Sequence, residues 1–213
     1  MASIKSSELI TNEDGSIFHL HLLPEDLADD IILVGDPGRV ETIASHFQQI
    51  ELKKSNREFF TITGSYRGHL LSVVSTGIGP DNIDIVINEL DALAHIDLKT
   101  KEIKAIGRTL NIVRIGTSGS VQADIPVDSF VISEKSIGCD GVLRFYANNE
   151  SVCDHPFEEA FIRHCRWTPS AARPYVVNAD PGLVDRLYDE EHTIKGVTLT
   201  AVGFYGPQGR VLR

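Results

Sequence analysis

Residues 28–47 read "ADDIILVGDPGRVETIASHF" and join an apolar run to an amphipathic segment through a glycine turn. The run from Ile31 to Val34 has the length and composition of a buried strand. Asp36 can cap the helix that follows, with Pro37 at its first position. The stretch therefore predicts a strand that enters a helix through a turn whose N–H groups can receive an anion. The apolar face of this helix would comprise Val40, Ile43, Ala44 and Phe47.

The same alternation of apolar runs and helical patterns continues along the chain. Residues 59–63 and 70–75 read as a hairpin around "GSYRGH", and residues 83–94 carry the apolar spacing of a helix. Further strands are predicted at 110–115, 127–132, 175–177 and 197–202, and further helices at 157–165 and 182–187. This order indicates an α/β fold, which we expect to be a single domain with a central mixed, twisted sheet flanked by helices. Residues 1–16 are expected to form a flexible arm.

The composition is ordinary for a globular protein of 213 residues, with 42% hydrophobic and 23% charged residues. A net charge of −10 argues against nucleic acid or an acidic membrane as the main partner, because both bind basic surfaces. The three cysteines form no CxxC pair, which is typical of free thiols in a reducing compartment. There is no signal-peptide pattern, and no apolar run approaches the roughly 20 residues of a membrane helix. We therefore expect a cytoplasmic protein.

Two glycine turns follow predicted strands, "LVGDPGRV" and "VRIGTSGS". Neither matches GxxxxGK[ST] or GxGxxG, so a nucleoside triphosphate or dinucleotide is not indicated. Each turn carries an arginine, Arg39 or Arg114, and the second adds the hydroxyls of Thr117 and Ser118. Backbone N–H groups, guanidinium groups and a hydroxyl together suit a free phosphate. The alternative is that the glycines only turn the chain and the arginines form surface ion pairs.

Two other constellations are weaker. His19 and His21 would share one face of a strand and could ligate zinc, but no second Cys/His pair has a metal-like spacing, so no metal is expected. The sequence "GTSGS" is not GxSxG, which argues against a hydrolase with a serine nucleophile.

Six motifs occur in one order across residues 17–210: "FHLHL", "VGDPGRV", "NREFFTITG", "STGIGPDN" with a later "NEL", "VRIGTSGSVQ" and "GFYGPQGR". Through them the chain resembles the nucleoside phosphorylases of the uridine phosphorylase type. The resemblance implies the fold of that family and a pentosyltransferase activity. The expected reaction is the phosphorolysis of uridine to uracil and ribose 1-phosphate in pyrimidine salvage. Inorganic phosphate would be the co-substrate, and no cofactor would be needed.

The resemblance implies which residues bind phosphate. Gly35, Arg39, Arg114 and Thr117 would contact it, with both arginines and the threonine as catalytic residues, and Arg57 would reach it from a neighbouring subunit. Three arginines around one phosphate repel each other in an empty site, so a compensating carboxylate is expected. Glu89 on the second helix is the candidate, although a solvated helix face would explain it equally well.

The resemblance also implies a nucleoside site. His19 would contact the ribose in the partner's site, so that a homodimer shares its active sites. Assembly of dimers into a hexamer and a monovalent cation between subunits are left open. Five residues would lie against the base: Ser118, Gly119, Phe204, Gln208 and Arg210.

The family chain continues beyond the uracil loop and includes a Met–Glu pair that clamps the ribose, whereas the only methionine here is Met1. We therefore expect residues 17–213 to be a nucleoside phosphorylase domain whose C-terminal part is missing. Three alternatives remain: a purine nucleoside phosphorylase, a nucleosidase of the same fold, and a truncated, non-catalytic nucleoside-binding protein.

Overall fold

A computed structural model describes residues 3–213, which form two compact units that divide between Thr117 and Ser118. Both units combine strands with helices. The predicted α/β class, with a mixed sheet flanked by helices, is confirmed.

The first unit is built on a five-stranded sheet. In chain order its elements are β1 (Asp30–Val34), α1 (Pro37–Ala44), β2 (Gln49–Asn56), β3 (Phe59–Tyr66), β4 (His69–Ser75), α2 (Pro80–His95), β5 (Ile96–Asp97), β6 (Glu102–Ile103) and β7 (Asn111–Arg114). The sheet order is β2-β3-β4-β1-β7, and β5 pairs with β6 alone. Strand β1 runs parallel to β4 and β7, whereas β2, β3 and β4 are antiparallel neighbours.

The interior strand β1 is apolar on both faces because a helix covers each face. Val34 packs with Val40 and Ala44 of α1, together with residues of β3 and β4. Ile31 and Leu33 point the other way and join a core that contains Val86, Leu90 and Leu93 of α2. Side chains alternate along a strand, so a continuous apolar run is what a doubly covered strand requires.

The segment that precedes β1 differs from the expected flexible arm. Leu9 is buried in the core on the α2 side, and the N–H of Ile4 donates to the carbonyl of Lys101 at 2.8 Å. The Lys101 ammonium in turn donates to the Leu9 carbonyl at 2.9 Å. The apolar side chains of Ile4 and Leu9, together with these bonds, hold residues 3–16 against the rest of the first unit. Met1 and Ala2 lie outside the described residues, and the domain start at residue 17 stays a prediction.

The second unit contains β8 (Phe130–Gly138), α3 (His155–Cys165), β9 (Tyr175–Asn178), α4 (Pro181–Leu187) and β10 (Thr193–Thr200). Its sheet has the order β10-β8-β9, with β8 parallel to β10 and antiparallel to β9. Short 3₁₀ helices lie at Pro24–Asp26 in the first unit and at Val142–Phe145, Asn149–Val152 and Gly206–Gln208 in the second. Ile137, Cys139 and Val176 form a small core against α3. Within residues 3–213, no helix has both the length and the apolar character to cross a membrane.

Candidate active site

Three loops meet at one edge of the five-stranded sheet. Because β1, β4 and β7 are parallel, their carboxyl ends lie side by side, with Val34 opposite Ser75 and Leu33 opposite Arg114. The chain stays paired just beyond the strands: Thr76 N–H donates to the Val34 carbonyl at 2.7 Å. The loops that begin at residues 35, 76 and 115 therefore emerge together. Ligands of α/β sheets bind at such an edge.

Glycines at this edge leave room for the Arg114 side chain. A Cβ atom at Gly35 would lie 3.7 Å from Nη2 of Arg114 and 3.7 Å from the Gly77 carbonyl oxygen. A Cβ atom at Gly116 would overlap Nη1 of the same guanidinium. Gly35, Gly77 and the Arg114 guanidinium thus come together at one point. The exposed Thr117 follows in the same loop.

Arg39 is placed at this edge by the first turn of α1. The Asp36 carboxylate accepts a hydrogen bond from Gly38 N–H at 2.9 Å, and the Asp36 carbonyl accepts one from Arg39 N–H at 3.0 Å. Pro37 occupies the first helical position, as predicted. The partly buried Arg39 therefore belongs to the positive end of a helix that starts directly after β1.

The arginines predicted to bind phosphate carry no carboxylate partner. In the described part of the chain, Arg39, Arg57 and Arg114 make no ion pair, whereas Arg108 and Arg144 each bind a carboxylate oxygen at 2.7 Å. The alternative interpretation, in which the two loop arginines form surface ion pairs, finds no such pair among the described residues. Their guanidinium donors are free to bind an anion.

Arg57 lies at the tight turn between β2 and β3, directly before Glu58, whose side chain a Cβ atom at Gly77 would touch. Its φ of 55° is the left-handed conformation of a two-residue hairpin turn, and its side chain is exposed. Its guanidinium carbon stands 6.0 Å from the centre of the Phe18 ring. Phe18 in turn meets the His19 ring edge-on at 4.8 Å. The two residues predicted to serve a neighbouring subunit, His19 and Arg57, therefore flank one aromatic side chain.

Glu89, the predicted compensating carboxylate, forms its ion pair with His19 among the described residues. Its carboxylate binds the segment before β1: Oε1 accepts from Nδ1 of His19 at 2.7 Å, and Oε2 accepts from Leu20 N–H at 2.8 Å. The His19 N–H also lies 2.9 Å from Oε1. The reason is geometric, because Glu89 projects from α2 towards residues 17–22. The carboxylate is satisfied there, and its role in compensating the arginine charges stays a prediction.

The residues predicted to recognise uracil lie around the 3₁₀ helix Gly206–Gln208. The Arg210 guanidinium carbon stands 4.2 Å above the Phe204 ring, and Arg210 Nη2 donates to Oε1 of Gln208 at 3.4 Å. Phe204 is 59% exposed, so its ring has an open face. The structure thus brings these three side chains together. Ser118 and Gly119 are exposed at the start of the second unit.

Two residues of the first unit, beside His19 and Arg57, were not predicted to contribute to the site. Phe18 separates Arg57 from His19, and the Asn56 side chain donates to the His19 carbonyl at 2.8 Å. Each lies next to a predicted residue within one of the six motifs, "FHLHL" or "NREFFTITG". Apart from these, His21 turns away from His19 and binds the Asp14 carboxylate at 3.0 Å.

Comparison with known proteins adds a family to this geometry. A model described as the phosphorylase superfamily matches residues 29–213. This chain belongs to the phosphorylase superfamily. The match includes all three loops at the carboxyl edge and the loop around Gln208.

Two relatives of this chain are named for different activities. A uridine phosphorylase from Thermococcus kodakarensis is 32% identical over 189 residues, which are 84% of this chain and 63% of that protein. A DeoD-type purine nucleoside phosphorylase from Hahella chejuensis is 30% identical over 200 residues, which are 88% of this chain and 78% of that protein. The chain thus spans less than two thirds of the length of the Thermococcus relative.

Solved structures of the superfamily agree with the fold. The Trypanosoma brucei nucleoside phosphorylase, described as showing uridine phosphorylase activity, matches with a TM-score of 0.82 and 31% identity over 96% of this chain and 72% of its own. A uridine phosphorylase structure from the oomycete Phytophthora capsici matches with a TM-score of 0.68. At 22% identity over 99% of this chain and 71% of its own, it supports the fold alone.

Proposed function

We propose that this phosphorylase-superfamily chain provides the catalytic machinery of a uridine phosphorylase. The observation that carries the proposal is the meeting of Gly35, Gly77 and the unpaired Arg114 guanidinium at the carboxyl edge of the sheet. The printed names of the Thermococcus and Trypanosoma proteins support uridine as the nucleoside.

Phosphate would bind at this edge through donors of three kinds. Arg39 and Arg114 would supply charge-assisted hydrogen bonds, Thr117 a hydroxyl, and Gly35 a backbone N–H close to the oxyanion. The proposal needs no metal or organic cofactor, because the guanidinium groups supply the positive charge that holds the nucleophile.

The reaction would break the bond from ribose C1′ to uracil N1 and form a bond from C1′ to a phosphate oxygen. Its transition state should be oxocarbenium-like, with positive charge on the sugar next to the bound phosphate. The departing uracil carries negative charge on its ring oxygens. Gln208 offers one donor and one acceptor, which match O2 and N3–H, and Arg210 offers donors for O4. Phe204 would stack near the nucleoside, and Ser118 and Gly119 would lie beside the base.

We also propose that two copies of the chain share their sites. His19 and Arg57 flank Phe18 on a surface of the first unit, and no described contact joins Arg57 to Arg39 or Arg114. The family resemblance, in which the arginine at this position reaches phosphate from a neighbouring subunit, supports supplying Arg57 to a partner's site. A homodimer is the smallest assembly that meets this requirement, and a hexamer built from three such dimers would preserve it. The unpaired thiols Cys139, Cys153 and Cys165 support a cytoplasmic location.

Purine nucleosides are the second candidate, because the Hahella relative carries that activity in its name. The test is release of free base from uridine and inosine, each with and without phosphate. We expect turnover of uridine that depends on phosphate. Turnover of inosine alone would assign the purine reaction, and turnover without phosphate would assign a nucleosidase. Absence of any turnover would favour a nucleoside-binding protein.

A further inference from the structure

Both carboxylate oxygens of Glu89 on α2 are hydrogen-bonded to the segment before β1. The two oxygens accept from His19 N–H at 2.9 and 3.1 Å, from Leu20 N–H at 2.8 Å and from the His19 ring at 2.7 Å. The Glu89 side chain is only 12% exposed, whereas that of His19 is 26% exposed. The partly exposed imidazole of His19 thus binds the largely buried carboxylate of Glu89 through one ring nitrogen.

The contact fixes which ring nitrogen of His19 carries hydrogen. An ionised carboxylate only accepts hydrogen bonds, so the Nδ1 atom that faces it must donate. In the neutral ring, Nε2 then bears a lone pair and can accept a hydrogen bond. Phe18 at 4.8 Å and Phe59 at 6.2 Å, both edge-on, further limit rotation of the ring.

Bonds other than those to Glu89 also hold the backbone around His19. Asn56 donates to the His19 carbonyl at 2.8 Å, and Asn12 donates to the Ile17 carbonyl at 2.9 Å. The Ile17 N–H closes the segment onto the Leu22 carbonyl at 2.9 Å. Removing the acceptor that faces the ring should therefore free the imidazole more than it disturbs the segment.

We infer that Glu89 is a positioning residue that holds His19 as the Nδ1–H tautomer and directs Nε2 towards a sugar hydroxyl of the bound nucleoside. The inference rests on the proposed function. Glu89 itself touches no substrate. Glu89 acts through the His19 ring, because it keeps Nε2 oriented as an acceptor for the hydroxyl. A freely rotating imidazole would present this acceptor only part of the time.

The first test is a double-mutant cycle with Glu89→Gln and His19→Ala in the full chain. Loss of one oriented hydrogen bond should lower kcat/KM for uridine about three- to tenfold in each single variant. The double variant should lose no more than His19→Ala alone, since Glu89 acts only through that ring. If Glu89→Gln lowers kcat/KM by the same factor in the His19→Ala variant as in the parent, the inference is overturned and Glu89 has a purely structural role.

Asp91→Asn provides the matched control. Asp91 lies on the same helix and binds Nδ1 of His95 at 3.0 Å, but both side chains are largely exposed. The control should leave kcat/KM unchanged. It measures what loss of a histidine–carboxylate pair on α2 costs by itself.

Deoxy analogues of uridine identify which ribose hydroxyl binds Nε2 of His19. The effect of Glu89→Gln is measured on uridine and on its 2′-, 3′- and 5′-deoxy analogues. It should disappear for the one analogue that lacks the hydroxyl bound by Nε2. An equal effect on all four substrates would overturn the inference.

The tautomer is measured without any activity. Nitrogen-15 chemical shifts of a labelled His19 should show hydrogen on Nδ1 in the parent protein and a mixture of tautomers in Glu89→Gln. Hydrogen on Nε2 in the parent would overturn the inference even if uridine is cleaved. Conversely, a parent protein that binds no nucleoside but shows the Nδ1–H tautomer would refute the proposed function while confirming the Glu89–His19 contact.

Discussion

Replacing Arg114 by alanine removes the guanidinium that lies over the glycine loop. Its Nη2 atom lies 3.7 Å from the Cβ position of Gly35, and no carboxylate in residues 3–213 neutralises it. The charge is thus available to a bound phosphate. Loss of one such donor raises the barrier by about 3 kcal/mol, so kcat/KM for phosphate should fall by a factor of about 10² to 10³.

The assay is uracil release from uridine at varied phosphate, followed by absorbance. Arg114→Lys, which keeps the charge but not the planar fork, should lie between the parent and Arg114→Ala. Arg67→Ala is the matched control, because this exposed arginine touches only the Tyr66 ring, at 5.2 Å. Since Arg114 is exposed, the unfolding free energy of Arg114→Ala should change by less than about 0.5 kcal/mol. Phosphate kinetics within threefold of the parent in a folded Arg114→Ala would refute the reasoning.

Three further predictions concern other parts of the molecule. Arg57→Ala and Arg39→Ala should each be nearly inactive. Dimers that combine one subunit of each variant should regain part of the activity, because one of their two sites is intact. Mixtures of the two variants that never recover activity would contradict the shared site. Gln208→Ala should raise KM for uridine about tenfold, the value of one lost hydrogen bond to the base, with KM for phosphate nearly unchanged, and unaltered uridine kinetics would count against its role. Hydrogen bonds from the Ser16 hydroxyl and N–H lower the pKa of Asp14 to about 2. Because the pKa of Asp14 is lower in the folded than in the unfolded state, this stabilisation is present above about pH 4 and is lost as the pH falls towards 2. In urea unfolding, Asp14→Asn should therefore be less stable than the parent at pH 7. The difference in unfolding free energy should disappear between about pH 4 and 2.

The sequence predicts best where periodicity and turn chemistry agree. The run before Gly35, the Asp36 cap and the spacing in α2 all reflect local rules, and the corresponding elements form as expected. Strand β2 was not predicted because "QIELKKSN" is polar, as suits an edge strand paired on one side only. The strand predicted at 127–132 instead runs from Phe130 to Gly138, because its pairing with β10 carries it past the apolar run.

The candidate site divides in the same way. Gly35, Arg39 and Arg114 can be recognised in the sequence because glycine turns after strands converge in a parallel sheet. The pairing of Glu89 with His19 could not be recognised, because 70 residues separate the two and no pattern states which face of α2 meets the N-terminal segment. The packing of residues 3–16 was missed for a similar reason, since two apolar side chains in a polar stretch give no periodic signal.

A crystal structure with phosphate and a non-cleavable uridine analogue tests the central claim most directly. The phosphate oxygens should lie about 2.7–3.2 Å from the Arg39 and Arg114 guanidinium groups and from the Gly35 N–H, with the uracil ring against Gln208 and Arg210. Phosphate bound away from these groups, or a nucleoside bound while both loop arginines point into solvent, would contradict it.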